Sequence, residues 1–242
     1  GIFITFLFRF SAKNLLFFRS EVSCLYLMTL LGMLLVVSSQ DLITILVGLE
    51  LCSLALVALV GYLRPSQISF EASLKYFILS LAGTSLFLLG CSFLYLHFGT
   101  LNLGLMESST ALTNSLWLSI GVVAVLVGLG LKLTLAPFHM WAPDVYQGAP
   151  TGITALMITG VKFMMVILIA RFRMIQAPSI ESVWYPTLLW LGAFSILVGH
   201  LMALVQTNLK RMLAYGSVAH SGYLAMGLCL LYQSDLLVWQ GV

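Results

Sequence analysis

Apolar residues run along this chain in long unbroken stretches, not in the stripes or alternations of a water-soluble fold. Seven stretches match the length that a helix needs to cross the hydrocarbon layer, about 20 residues for about 30 Å. They cover residues 22–39, 42–62, 72–96, 115–136, 151–170, 185–205 and 211–232. The connections are short and hold turn formers and cations, as in Arg64-Pro65-Ser66 and Gln206-Thr207-Asn208-Leu209-Lys210-Arg211. A membrane β-barrel would alternate apolar and polar residues, whereas a helix satisfies its own backbone in lipid. The pattern predicts an all-α polytopic transmembrane helix bundle of about seven spans. No repeat of short period and no low-complexity tail interrupts it.

Composition agrees and narrows the function classes. Of 242 residues, 61% are hydrophobic and 8% charged, against about 45–50% and about 25% in ordinary globular chains. Too little polar surface remains to coat a water-exposed particle, which sets aside soluble enzymes, nucleic-acid binders and disordered linkers. The net charge of +3 comes from a few cations near span ends. Arg9, Lys13, Arg19, Arg64, Lys210 and Arg211 fall on one side of a seven-span arrangement, and Arg171 and Arg173 on the other. The positive-inside rule then places the N-terminal side in the cytoplasm or mitochondrial matrix. Cys24, Cys52, Cys91 and Cys229 stand singly in apolar runs, a spacing unlike zinc, iron–sulfur or disulfide frameworks, and no metal site is expected. Residues 1–21 begin at Gly1, with an apolar stretch too short to span followed by cations. They are expected to be an interfacial segment, the tail of an earlier span or a targeting remnant, in a chain that is processed, truncated or incompletely recorded.

The candidate chemistry lies in ionisable residues inside the spans. Glu50 sits eight residues beyond Leu42, or about 12 Å into its helix. Lys162 is near the middle of its span, Lys132 closes an uncharged run from Ser115, and Lys75 lies near a span start. A centred charge costs roughly 2.5–3.5 kcal/mol on insertion scales, so four in consecutive spans call for pairing inside the bundle or around buried water. Lys75 and Lys132 can instead snorkel to an interface, and Glu50 and Lys162 can be static structural charges. His220 and His200 can be neutral packing histidines, and His97 lies at a span end. A second feature is Leu133-Thr134-Leu135-Ala136-Pro137-Phe138-His139-Met140-Trp141-Ala142-Pro143-Asp144. Pro137 lacks an N–H and its ring opposes the carbonyl of Leu133, so a helix must stop or kink here. An unbroken helix from Ser115 to Gly148 would be about 51 Å long. Either a discontinuous helix lining a cavity or an external loop satisfies the stretch.

The run Gly130-Leu131-Lys132 through Pro143-Asp144-Val145-Tyr146-Gln147-Gly148-Ala149-Pro150-Thr151 resembles the signature of antiporter-like subunit 2 of respiratory complex I. Three further blocks match in order: Val47-Gly48-Leu49-Glu50-Leu51, Glu71-Ala72-Ser73-Leu74-Lys75-Tyr76-Phe77-Ile78-Leu79-Ser80, and Gln206 through Tyr223. The resemblance runs from about residue 22 to the C-terminus. It implies that the seven spans correspond to helices 4–10 of a fourteen-helix fold with two inverted five-helix repeats. Residues 22–170 would then form the first repeat and 185–242 the truncated start of the second. It further implies a break after Lys132, a Glu50–Lys132 pair, and proton-relay roles for Glu50, Lys75, Lys132, His139, Lys162 and His220. His200 has no counterpart and stays a packing residue.

The function implied is that of a proton-translocating membrane-arm subunit of NADH:ubiquinone oxidoreductase, in the mitochondrial inner membrane or a bacterial plasma or thylakoid membrane. This chain would have no redox site, with NADH, FMN, iron–sulfur clusters and ubiquinone in partner subunits. Other membrane-arm subunits, lipids and a second chain supplying the missing helices are the implied partners, and nucleic acid is not. Near Glu50, Lys132 keeps its proton; once apart, burial disfavours the charged form and it releases. The rival readings are a structural membrane-arm subunit without its own complete proton path and a Mrp-type cation/proton antiporter subunit.

Overall fold

The computed structural model describes residues 20–62, 66–107, 116–172 and 178–240. Residues 1–19 of the N-terminal segment, with Arg9, Lys13 and Arg19, lie outside these, as do Arg64 and Arg173. The described residues form α1 (Ser20–Ser38), α2 (Leu42–Val60), α3 (Gln67–Phe98), a short α4 (Leu103–Glu107) and α5 (Leu116–Leu133). After a break come α6 (Trp141–Gly148), α7 (Thr151–Leu156), a π turn (Met157–Val161), α8 (Lys162–Phe172), α9 (Pro178–Leu204) and α10 (Leu209–Gln240). The segment from α7 to α8 is one rod. Among the described residues, six helical segments are long and apolar enough to cross a membrane: α1, α2, α3, α5, the α7–α8 rod and α9. The seventh stretch, 211–232, lies in α10, which has the length but is less apolar on average than the six.

Local sequence sets the helix ends. Asp41 caps α2 by accepting the Thr44 N–H at 3.2 Å, and Ser66 caps α3 by accepting the Ser69 N–H at 3.3 Å; each satisfies a donor that has no intrahelical partner. Gly99, at φ +67°, ends α3 in the left-handed conformation that suits glycine. α5 stops at Leu133, three residues before the predicted end of its span. Proline disfavours helical geometry at Ala136, and its ring excludes the Leu133 carbonyl as a partner.

Packing follows small residues. α3 runs along α5, where a Cβ at Gly128 would lie 2.6 Å from the Gly83 oxygen and one at Gly90 2.7 Å from the Gly121 oxygen. α9 runs along α10 in the same manner, with a Cβ at Gly222 2.6 Å from the Gly192 oxygen. Helices in lipid gain little by hiding apolar surface from one another, so close backbone approach supplies much of the contact energy. Large apolar side chains such as Leu96, Trp190 and Leu204 point outward. α5 also contacts α9, and α6 lies between α3 and α10. The residues on either side of the break are thereby enclosed.

Candidate functional site

The interrupted segment after α5 is the most enclosed irregular backbone among the described residues. Leu133, Thr134, Leu135 and Ala136 are all buried, so each peptide group needs a protein partner. The Leu135 N–H reaches back to the Gly130 oxygen at 2.8 Å, and the Ala136 N–H donates to Ser195 Oγ on α9 at 2.8 Å. Trp141 Nε1 donates to the Leu131 oxygen at 3.0 Å. Thr134 adopts φ +65°, the one non-glycine residue at positive φ among those described. For a β-branched residue this is a true outlier, at a cost of roughly 1–3 kcal/mol.

Both intramembrane lysines of this region contact hydroxyls. Lys132, at the end of α5, donates to Ser80 Oγ on α3 at 3.1 Å. The expected Glu50–Lys132 pair is not closed: no salt bridge joins the two, and Glu50 Oε1 is buried with no hydrogen-bond partner. The serine hydroxyl, one helix over, has taken the place that pairing assigned to the carboxylate. Lys162, 6% exposed, starts α8 directly after the π turn, a local widening found often at functional sites. Its Nζ donates to the Ser217 oxygen and, at 2.6 Å, to Ser221 Oγ. Ser221 Oγ lies 3.1 Å from Thr134 Oγ1, and it donates to the Ser217 oxygen at 2.9 Å. A continuous set of contacts thus joins the break to Lys162.

His139 is buried within the break, with Nδ1 lacking a hydrogen-bond partner and its ring edge-on to Tyr215 at 6.0 Å. Glu50, Lys132, His139 and Lys162 therefore belong to the bundle interior. The other two sequence candidates stand elsewhere. Lys75 is held between Glu71 at 2.7 Å and Asp144 at 2.7 Å. His220 faces outward on α10, its ring 6.4 Å from Tyr223. His200, expected to be a packing residue, is exposed on α9 and bonds its own helix through the Ile196 oxygen at 2.8 Å.

Asp144 emerges as a second centre, which the sequence alone placed only at the end of the interrupted stretch. It accepts from Lys75 on α3 and, at 2.6 Å, from Arg211 on α10. Arg211 also donates to Gln147 Oε1 at 3.1 Å, and Lys210 donates to the Ala149 oxygen at 3.0 Å. Burial alone would raise the Asp144 carboxyl, but the bonds and charges of Lys75 and Arg211 outweigh it and hold the group below its ordinary value. Ser80, Thr134, Ser195, Ser217 and Ser221 were likewise missed. Serine and threonine in apolar helices carry no transfer penalty large enough to mark them.

Fold and site together define a polytopic helical membrane protein with ionisable side chains gathered about a broken helix. Residues 39–238 match the family model described as NADH:quinone oxidoreductase/Mrp antiporter, TM, and the chain belongs to this family. It is 40% identical over 234 residues to NADH-quinone oxidoreductase subunit N of Gluconacetobacter diazotrophicus, covering 95% of this chain and 49% of that protein. It superposes on a chain of respiratory complex I from Thermus thermophilus with bound aureothin, with a TM-score of 0.77 and 38% identity, over 90% of this chain and 47% of that one. A chain of the membrane-bound sulfane sulfur reductase, an archaeal respiratory membrane complex, gives a TM-score of 0.75 at 30% identity, over 85% and 42%. The chain spans about half the length of the relatives it matches.

Proposed function

We propose that this chain is part of a proton-translocating, antiporter-like membrane subunit of an NADH:quinone oxidoreductase, and that Glu50, Lys132, His139 and Lys162 carry protons through it. The observation that supports this reading is the setting of Lys162. Its hydrogen-bond partners are neutral oxygens of Ser217 and Ser221, and no carboxylate lies within ion-pair distance of it among the described residues. An amine held by hydroxyl and carbonyl groups can keep its contacts while gaining or losing a proton, which a tight ion pair cannot do. Glu50 and Lys132, close enough to influence one another yet unpaired, correspond to the open arm of a pair that closes when Ser80 releases the amine. Lys75 and His220 stand at the margins of this path.

The Pro143-Asp144-Val145-Tyr146-Gln147-Gly148 string favours the position of subunit 2 in such a complex over that of a Mrp-type antiporter. In this reading the redox groups and NADH belong to partner subunits. The membrane is the mitochondrial inner membrane or its bacterial equivalent, with the Lys75–Asp144–Arg211 end on the matrix or cytoplasmic side, where the basic residues collect.

The test is NADH-driven proton uptake by inverted membrane vesicles carrying Glu50→Gln or Lys132→Met, with assembly followed by native gel. Uptake lost from fully assembled complexes is the expected result. Normal uptake in assembled complexes would overturn the relay and leave a structural membrane-arm subunit. Exchange that needs sodium or potassium and no NADH would instead identify an antiporter.

A further inference from the structure

We propose that Thr134 and Ser221 form a hydroxyl bridge that passes protons between the helix break and Lys162, an inference that rests on the relay reading above. Three independent observations meet at this bridge. Thr134 is the residue that takes the strained positive-φ conformation, in a position where glycine would fit without strain. Its hydroxyl touches Ser221, and Ser221 touches Lys162. Thr134, Ser221 and Lys162 are all enclosed by protein, on three different segments of the bundle. A side chain placed against its own backbone preference points to a gain elsewhere. Here the gain is the Oγ1 contact.

The bonding fits proton transfer in both charge states. With Lys162 charged, Nζ donates to Ser221 Oγ, Thr134 donates to the same oxygen, and Ser221 donates to the Ser217 carbonyl. With Lys162 neutral, its lone pair can accept from Ser221, which in turn accepts from Thr134. An excess proton, carried as hydronium by water in the break, joins the Thr134 oxygen and leaves neutral water behind. Thr134 then gives its own proton to Ser221, and Ser221 gives its own to Nζ. The O–H bonds broken on Thr134 and Ser221 are each replaced by a new one, the O–H bond lost by the hydronium is matched by the N–H bond formed, and one positive charge moves from the hydronium to Lys162. Rotation of the two hydroxyls resets the chain. Lys132 lies two residues from Thr134, so the bridge joins the surroundings of one lysine to the other across the break.

Substitution at Thr134 separates relay from scaffold because loss of the hydroxyl and relief of strain coincide. Thr134→Gly removes the hydroxyl and suits the backbone. Thr134→Val removes the hydroxyl while filling its volume, which keeps a water from replacing it. Thr134→Ser keeps the hydroxyl. In inverted vesicles with native assembly, we expect Thr134→Gly, Thr134→Val and Ser221→Ala each to slow NADH-driven proton uptake by about tenfold, and Thr134→Ser to restore it. The glycine variant should also assemble with undiminished thermal stability. Wild-type uptake in both the glycine and the valine variants, with Lys162→Met still inactive, would overturn the bridge and leave the relay intact. Wild-type uptake in Lys162→Met would overturn the role of Lys162 itself.

Discussion

At the scale of single residues, the broken helix is held by side chains that replace lost backbone bonds. Trp141 is the clearest case. Its indole N–H donates to the Leu131 carbonyl at 3.0 Å, while the Thr134 N–H reaches that oxygen only at 3.4 Å. Trp141→Phe keeps an aromatic ring against Tyr76 and Tyr146 but removes the donor. A buried carbonyl deprived of its good partner costs about 1–3 kcal/mol. The expected result is a lower thermal midpoint for the detergent-solubilised assembly, measured by fluorescence-detected size exclusion; an unchanged midpoint would mean that the carbonyl finds another donor. The same scale explains what the sequence made legible. Glu50, Lys132 and Lys162 stand out because charges in apolar runs are costly wherever they lie. Ser195 and Ser221 do not, because a serine can bond the carbonyl one turn back in its own helix, as Ser195 does to Leu191 and Ser221 to Ser217. Its further partner is set only by folding.

At the scale of elements, hydropathy located the spans well and the contacts between them poorly. Pro137 required the helix to stop or kink beside it, and the helix does end at Leu133, because a missing N–H and a ring clash are local properties. That α6 would lie between α3 and α10 is not local. Asp144 meets Lys75 across 69 residues and Arg211 across 67, and no spacing rule links them. The glycines of α3 and α5 belong to the same class of information, since their meaning appears only when two backbones touch. A Cβ at Gly128 would fall 2.6 Å from the Gly83 oxygen and 2.8 Å from the Phe87 nitrogen. Both are backbone atoms, so neither can swing aside. Gly128→Ala is therefore expected to push α5 from α3 and to destabilise the fold by about 1–3 kcal/mol, despite the better helix propensity of alanine. Because Lys132 and Ser80 ride on these two helices, their 3.1 Å contact should open as well. A cysteine pair placed at the α3–α5 seam would report the separation as a loss of crosslinking, and undiminished crosslinking in a fully stable variant would refute the overpacking argument.

Across the whole molecule, the ionic cluster at Asp144 joins the two parts of the bundle. Lys75 anchors it to α3 and Arg211 to α10, with the short α6 between them. Such a tie matters because α10 otherwise packs mainly on α9, whose other substantial contact among the described residues is with α5. All three groups are partly exposed, so solvent screening limits the stabilisation to about 1 kcal/mol for the network. Its pH dependence has a definite sign. The Asp144 carboxyl is held below its ordinary value of 3.8 in the folded state. Its contribution is therefore full above that value and is lost as pH falls through the lower, folded one. Over the neutral range the tie should be constant, and the cost should appear only in acid. In Asp144→Asn the tie is weakened at every pH, and the variant should lack this component of the acid loss. Thermal midpoints of the solubilised assembly between pH 7 and about 3 should converge for the two proteins as the pH falls, with the wild type higher near neutrality. Parallel curves would show that the cluster contributes nothing beyond solvation. A gap that widened in acid would reverse the sign assigned to Asp144, making its burial, and not Lys75 and Arg211, the stronger influence on the carboxyl.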